Sequence, residues 1–164
     1  MAAIPNEQAR QATGGESHAM PLATSVEPIN EFLNERWKAS YAGVSRCNAV
    51  LRVAAKTTEL TDAELKNIIA QARFLRGHYY FELKRMYNMV PWIDENTTDF
   101  KQPNDKDIWP LIEDDFKYAV ENVTATQPDA GRINKMAAQA YLGKLLRSDQ
   151  GDGSNGYEIY TEQK

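Results

Sequence analysis

Trp92, Asp94, Glu95 and Asn96 stand together just past Pro91, in a stretch reading PWIDENTT. An indole beside carboxylates and an amide suits a sugar. The apolar C–H face of a sugar ring stacks on the indole, while its hydroxyls bond the polar neighbours. Trp92 and Asn96 are therefore the candidate ligand-binding residues. The alternative is that Trp92 tucks back over the ends of the neighbouring helices as an apolar plug. Residue types alone leave both readings open.

The other groupings are weaker. Arg73, Arg76, Lys84 and Arg85 make one helix locally basic, which fits a solvated or inter-helix face, or else a face for a partner. Glu113, Asp114 and Asp115 resemble paired carboxylates, but consecutive helix positions point about 100° apart and do not converge. Acids near a helix N-terminus are explained by the macrodipole, so a solvated face is expected. Gly151–Gly156, GDGSNG, matches G-x-G-x-x-G by letter. A dinucleotide loop needs a strand before it and a helix after it; here a helix precedes, and a flexible loop is expected.

Metal ligands are sparse. His18 and His78 are far apart, and the one cysteine, Cys47, permits neither a zinc spacing nor a disulfide framework. On an apolar helix face Cys47 reads as a small buried hydrophobe. Asn96 and Asn122 head Asn-x-Thr sequons, which matter only in a eukaryotic secretory setting. No nucleophile–base pair, P-loop or metal motif is evident. The chain reads as a non-catalytic binding or scaffold protein, with no cofactor and no metal.

Composition narrows the class further. A length of 164 residues suits one domain, and 42% hydrophobic with 26% charged residues is ordinary for a soluble globular protein. A net charge of −4 with interleaved signs argues against a general nucleic-acid binder. No run approaches the roughly 18 apolar residues of a membrane span. The first residues are polar, with no charged start and apolar block, so no signal peptide is expected.

The elements that must position Trp92 are helices. Residues 1–28 read as a flexible arm, 29–148 as a helical domain and 149–164 as a flexible tail. From Ile29 to Ala55, Leu33, Trp37, Tyr41, Val44, Asn48 and Leu51 recur every three or four residues. Thr61 and Glu64 have the form of a capping box opening a second helix from Asp62 to about Tyr87. Its core stripe is expected at Leu65, Ile68 or Ile69, Ala72, Leu75, Tyr79, Leu83 and Met86. Asn88 suits the position past a helix end, and Pro91 blocks continuation. Residues 88–106 form a long polar loop, of a length that is often functional. A third helix starts near Asp107, its expected N-cap, with Pro110 in the first turn. Ile108, Leu111 or Ile112, Asp115, Phe116, Ala119 and Val123 follow along it. A fourth runs from about Asn134 to Arg147. The expectation is an all-α fold of about four main helices with long loops, paired as in helical-repeat solenoids.

The order of these blocks is more specific than any one of them. RWKASYAGVSRCNAVL resembles the first signature helix of the SusD/RagB family, with Trp37, Tyr41, Val44 and Asn48 in place. AQARFLRGHYYFELKRMYNMVPWI is similar to that family's most recognisable block through Ala72, Leu75, Arg76, Tyr79, Tyr80, Leu83, Tyr87, Val90 and Pro91. DIWPLIEDDFKYAVENV and GRINKMAAQAYLGKLL, with Gly131 and Arg132, resemble the next two blocks. The resemblance implies tetratricopeptide-like helix pairs (an α-α superhelix). It also implies a nutrient-binding, surface-exposed lipoprotein of the Bacteroidetes outer membrane. Such a protein delivers an oligosaccharide, or in some cases a peptide, to a SusC-like TonB-dependent transporter. A helical-repeat interaction scaffold without sugar binding is the alternative. Family members run to several hundred residues, so the likeness is to their first portion. Cys47, inside a helix, does not suit the lipidated cysteine of the family.

Overall fold

The computed structural model describes residues 31–149. The arm at 1–28, His18, and the 150–164 part of the tail with its GDGSNG motif lie outside the described residues. Four helices make up the described fold, with no strand among the described residues: α1 Glu31–Ala54, α2 Asp62–Tyr87, α3 Trp109–Asn122 and α4 Lys135–Asp149. The chain divides into two compact units, the first ending at Ala39 and the second beginning at Ser40. Residues 31–39 of α1, including the half-buried Trp37, belong to the first. All contacts described below lie within the second.

Local chemistry sets most helix ends. Thr61 is extended, its backbone N–H donates to Glu64 Oε2 at 3.0 Å, and its Oγ1 accepts from the Glu64 N–H at 3.4 Å. These two bonds complete the capping box and satisfy N–H groups that have no partner inside the helix. At the other end Asn88 has φ +61°, a conformation Asn tolerates, and its N–H donates to the Lys84 carbonyl. The Asn88 side chain also accepts from Lys84 Nζ at 3.2 Å. Asn134 opens α4, its Oδ1 accepting from the Ala137 N–H at 2.9 Å.

The start of α3 departs from expectation. Ile108, not Asp107, occupies the N-cap position and makes no side-chain capping bond. Asp107 sits one residue earlier, accepts from the Trp109 N–H at 3.3 Å and pairs with Lys84 Nζ at 2.9 Å. Burial decides the shift: Ile108 is 1% exposed, so its apolar side chain fixes the register and leaves the aspartate outside. Pro110 lies in the first turn, as expected, where its missing N–H costs little.

Helix α2 is the centre of the packing and is buried on more than one side. Toward α3 and α4 it presents Phe74 and Phe81. Phe74 lies 5.3 Å from Phe116 and 5.1 Å from Tyr141, ring centre to ring centre, and Phe116 lies 5.7 Å from Tyr141. Gly77 brings the backbones of α2 and α3 close together: a Cβ there would stand 3.0 Å from the Phe116 ring. Toward α1, the Tyr79 ring lies against Gly43, where a Cβ would overlap it at 2.3 Å. The expected single stripe is thus only partly correct. Ala72 and Leu83 are buried, Tyr79 and Met86 are half-buried, and Leu75 is 39% exposed. A one-sided amphipathic pattern describes a surface helix, whereas α2 has neighbours on two sides and buries Phe74, Tyr80 and Phe81 as well.

Candidate functional site

Four of the residues expected to mark the fold converge on the loop that follows α2. Tyr41 and Asn48 come from α1, Arg76 and Tyr80 from α2. Tyr41 Oη donates to the Pro91 carbonyl at 2.7 Å. Asn48 Nδ2 donates to the Ile93 carbonyl at 2.9 Å, and Tyr80 Oη donates to the same oxygen at 3.0 Å. The Ile93 N–H donates back to Tyr80 Oη at 2.7 Å. Backbone groups of residues 91 and 93, on either side of Trp92, are thereby bonded to the helices. Burial pushes both phenols above the ordinary tyrosine range, so they stay protonated through the physiological range.

A charged cluster lies beside these anchors. Arg76, 4% exposed, donates through Nε and Nη2 to Asp115 at 2.7 and 2.8 Å, a two-pronged contact. Its Nη1 bonds Asn48 Oδ1 at 3.1 Å and also pairs with Glu95. Arg73 Nε donates to Asp115 Oδ1 at 2.7 Å, and its Nη2 pairs with Asp114. Burial disfavours the charge of Arg76, but Asp115 first and Glu95 next outweigh it and hold the guanidinium above its usual range. For Arg73, burial is likewise outweighed by Asp115 and then Asp114.

This corrects the expectation for the acidic run. Asp115 is fully buried, and it shares Arg73 with Asp114. The angle between neighbouring helix positions is real, but the long, forked Arg73 spans it. Asp114 stays exposed and Glu113 pairs with Lys117 one turn on at 2.7 Å, so these two follow the expected surface pattern and only Asp115 turns into the core. The basic stretch of α2 is accordingly an inter-helix face at Arg73 and Arg76. Cys47 is buried as expected, and burial pushes its thiol up to about 11.

Trp92 is half-buried and stacks on Tyr80, ring centres 4.2 Å apart and planes 26° apart. The Arg76 guanidinium lies 5.3 Å from the indole centre. The indole therefore turns back toward the helices and at the same time lines a cleft of about 400 Å³. Arg73, Arg76, Glu95, Asp114 and Tyr118 line it too, with Tyr118 beneath the Arg73 guanidinium at 4.5 Å. Asn96 is exposed and does not line the cleft; its N–H donates to Asp94 Oδ1 at 3.0 Å in a small turn closed by Thr97. Gly131 and Arg132 lie elsewhere, in the α3–α4 loop. Gly131 takes φ +89°, and Arg132 pairs with Asp129 at 2.7 Å. Tyr87 closes α2.

Sequence reasoning set Glu95 beside Trp92 but did not foresee Asp115 or Tyr118 in this site. For Asp115 a signal existed: it falls on the inward stripe of α3 between Ile112 and Ala119. A carboxylate on a core stripe calls for a buried cation. Chemically, the cleft offers an aromatic face among donors and acceptors of both signs. That suits a neutral, hydroxyl-rich ligand better than a strongly charged one. Among the described residues no group of three metal-ligating side chains gathers, and no helix is long and apolar enough to cross a membrane.

Comparison with known proteins gives one consistent result. A SusD-like protein of Bacteroides ovatus is 28% identical over 138 residues, covering 80% of this chain and 25% of that protein. A crystal structure containing a xylogluco-oligosaccharide superposes with a TM-score of 0.67 at 29% identity, covering 77% of this chain and 26% of that one. A laminarin-binding SusD-like protein superposes with a TM-score of 0.62 at 26% identity, covering 73% and 27%. The chain thus spans about a quarter of the length of each relative. The all-helical, tetratricopeptide-like architecture is the one these relatives share. The SusD-like family model described as "Starch-binding associating with outer membrane" matches residues 6–146, and the chain belongs to that family.

Proposed function

We propose that this chain serves in non-catalytic glycan capture at the bacterial outer membrane, as part of a surface lipoprotein working with a SusC-like TonB-dependent transporter. The observation that carries the reading is the family match over residues 6–146. The relatives with a xylogluco-oligosaccharide and with laminarin point to β-glucan-type oligosaccharides as first probes. Within the chain, the Trp92 cleft supports the reading: an indole edge, the Tyr118 ring and polar groups of both kinds surround a space of sugar size. The carboxylates of Asp115 and Glu95 are held by arginines, an arrangement for holding rather than for proton transfer.

Calorimetric titration of the purified protein with laminarin fragments and with a xylogluco-oligosaccharide tests this. Saturable binding with no change in the sugar is expected, weakened tenfold or more by Trp92→Ala. Unchanged affinity in that variant would remove Trp92 from the site. Absence of binding across a glycan panel, combined with co-isolation of a TonB-dependent transporter, would favour a pure interaction scaffold.

A further inference from the structure

The hydrogen bonds around Trp92 divide the loop into two kinds of atom. Those that fix its course are backbone atoms: the Pro91 carbonyl, the Ile93 carbonyl and the Ile93 N–H. Both acceptor directions of the Ile93 carbonyl are used, one by Asn48 and one by Tyr80. The Tyr80 hydroxyl both gives and receives a bond with the same residue. Tyr80 is fully buried and Asn48 is 2% exposed, so neither lies on the accessible surface of the cleft. Neither lines the cleft, yet Tyr80 carries the Trp92 indole on its ring at 4.2 Å.

We propose that Tyr80 and Asn48 are positioning residues for ligand recognition. They clamp the Ile93 peptide and thereby fix the Trp92 indole at the cleft, without touching the ligand. The inference rests on the glycan-binding reading above. Its physical basis is preorganisation: an indole already held in its binding orientation loses little freedom when a sugar ring stacks on it. Because the clamp grips backbone, the side chain at position 92 can change while the loop keeps its course. The loop is then a fixed rail on which a recognition residue is mounted. Asn48 links the rail to the charged cluster as well, since its Oδ1 accepts from Arg76 while its Nδ2 donates to Ile93.

Tyr80→Phe removes the hydroxyl and keeps the stacking ring. Asn48→Asp keeps the shape and the acceptor for Arg76 but removes the donor to Ile93. The decisive experiment is a double-mutant cycle of each with Trp92→Ala, read as affinity for laminarin fragments and for a xylogluco-oligosaccharide. The assigned Trp92 indole N–H resonance is followed in parallel. A fivefold or greater loss of affinity is expected for each variant in the natural background, with no further loss once Trp92 is Ala. The Trp92 resonance is expected to shift while that of Trp109 stays. Where Trp92→Ala itself weakens binding, equal losses in both backgrounds, or no loss in the natural one, would overturn the proposal. An unmoved Trp92 resonance in both variants would overturn it as well, whatever the sugar affinity. If Trp92→Ala leaves affinity intact while Tyr80→Phe still moves the indole, the glycan site fails but the clamp stands as the device that fixes Trp92.

Discussion

Helix α2 presents two faces that do different work. One is aromatic: Phe74 and Phe81 interleave with Phe116 and Tyr141 around the gap left by Gly77. The other is polar: Arg73, Arg76 and Tyr80 reach Asp115, Glu95 and the Ile93 peptide. The aromatic face depends on shape and area, so it tolerates any arrangement that fills the space. The polar face depends on direction, because each buried donor must meet its own acceptor. The first holds helices together. The second additionally fixes a loop, and with it the Trp92 indole that borders the cleft. The lesson is that the molecule spends its directional bonds where a position must be unique.

Three substitutions separate the faces. Asp115→Ala should have the largest effect, because it leaves two buried or half-buried arginines without their shared partner; a loss of about 3–5 kcal/mol is expected from breaking such a pair. Chemical denaturation should show that loss, and the Trp92 indole resonance should shift with it, since Arg76 contacts both Asp115 and the loop. Phe116→Leu should cost about 1–2 kcal/mol, because the smaller side chain loses ring contacts and leaves a small cavity in a packed core. Its melting temperature should fall while the Trp92 resonance stays in place. If Phe116→Leu moved Trp92 as far as Asp115→Ala does, the division of labour between the faces would be lost. Thr61→Ala is expected to cost least, about 1 kcal/mol, by removing an N-cap far from both faces. The Thr61 hydrogen bonds also hold the Glu64 carboxyl below its usual range. The cap's contribution should therefore be present above the unfolded glutamate value and fade as pH falls through the lower folded one. Equal pH slopes for the natural chain and Thr61→Ala below pH 5 would contradict that.

The helices were legible because their signals are local. A capping box, an Asn at a positive φ and a Pro in a first turn each act within four residues of chain. The site was legible only in part. Trp92 stood out by type and position, and the structure joins the two readings: it turns back onto Tyr80 and still borders the cleft. Asp115 was hidden because its meaning lies 39 residues away in Arg76. Periodicity places a residue on a face but says nothing about which charge waits opposite. Leu75 misled for a related reason. A repeat of three and four marks one stripe, and a helix with two neighbours has a wider buried surface than one stripe describes. Asn96 owed its candidacy to nearness along the chain, and its exposed position outside the cleft lining leaves any sugar contact there to be tested by substitution.

The most direct test of the account follows the three tryptophan indole N–H resonances, Trp37, Trp92 and Trp109, as the protein is titrated with laminarin fragments or a xylogluco-oligosaccharide. A glycan seated in the cleft should shift the Trp92 resonance saturably, with the same midpoint as calorimetry, and leave Trp109 in place. Saturable binding by calorimetry with an unmoved Trp92 resonance would contradict the account and put the sugar elsewhere on the protein.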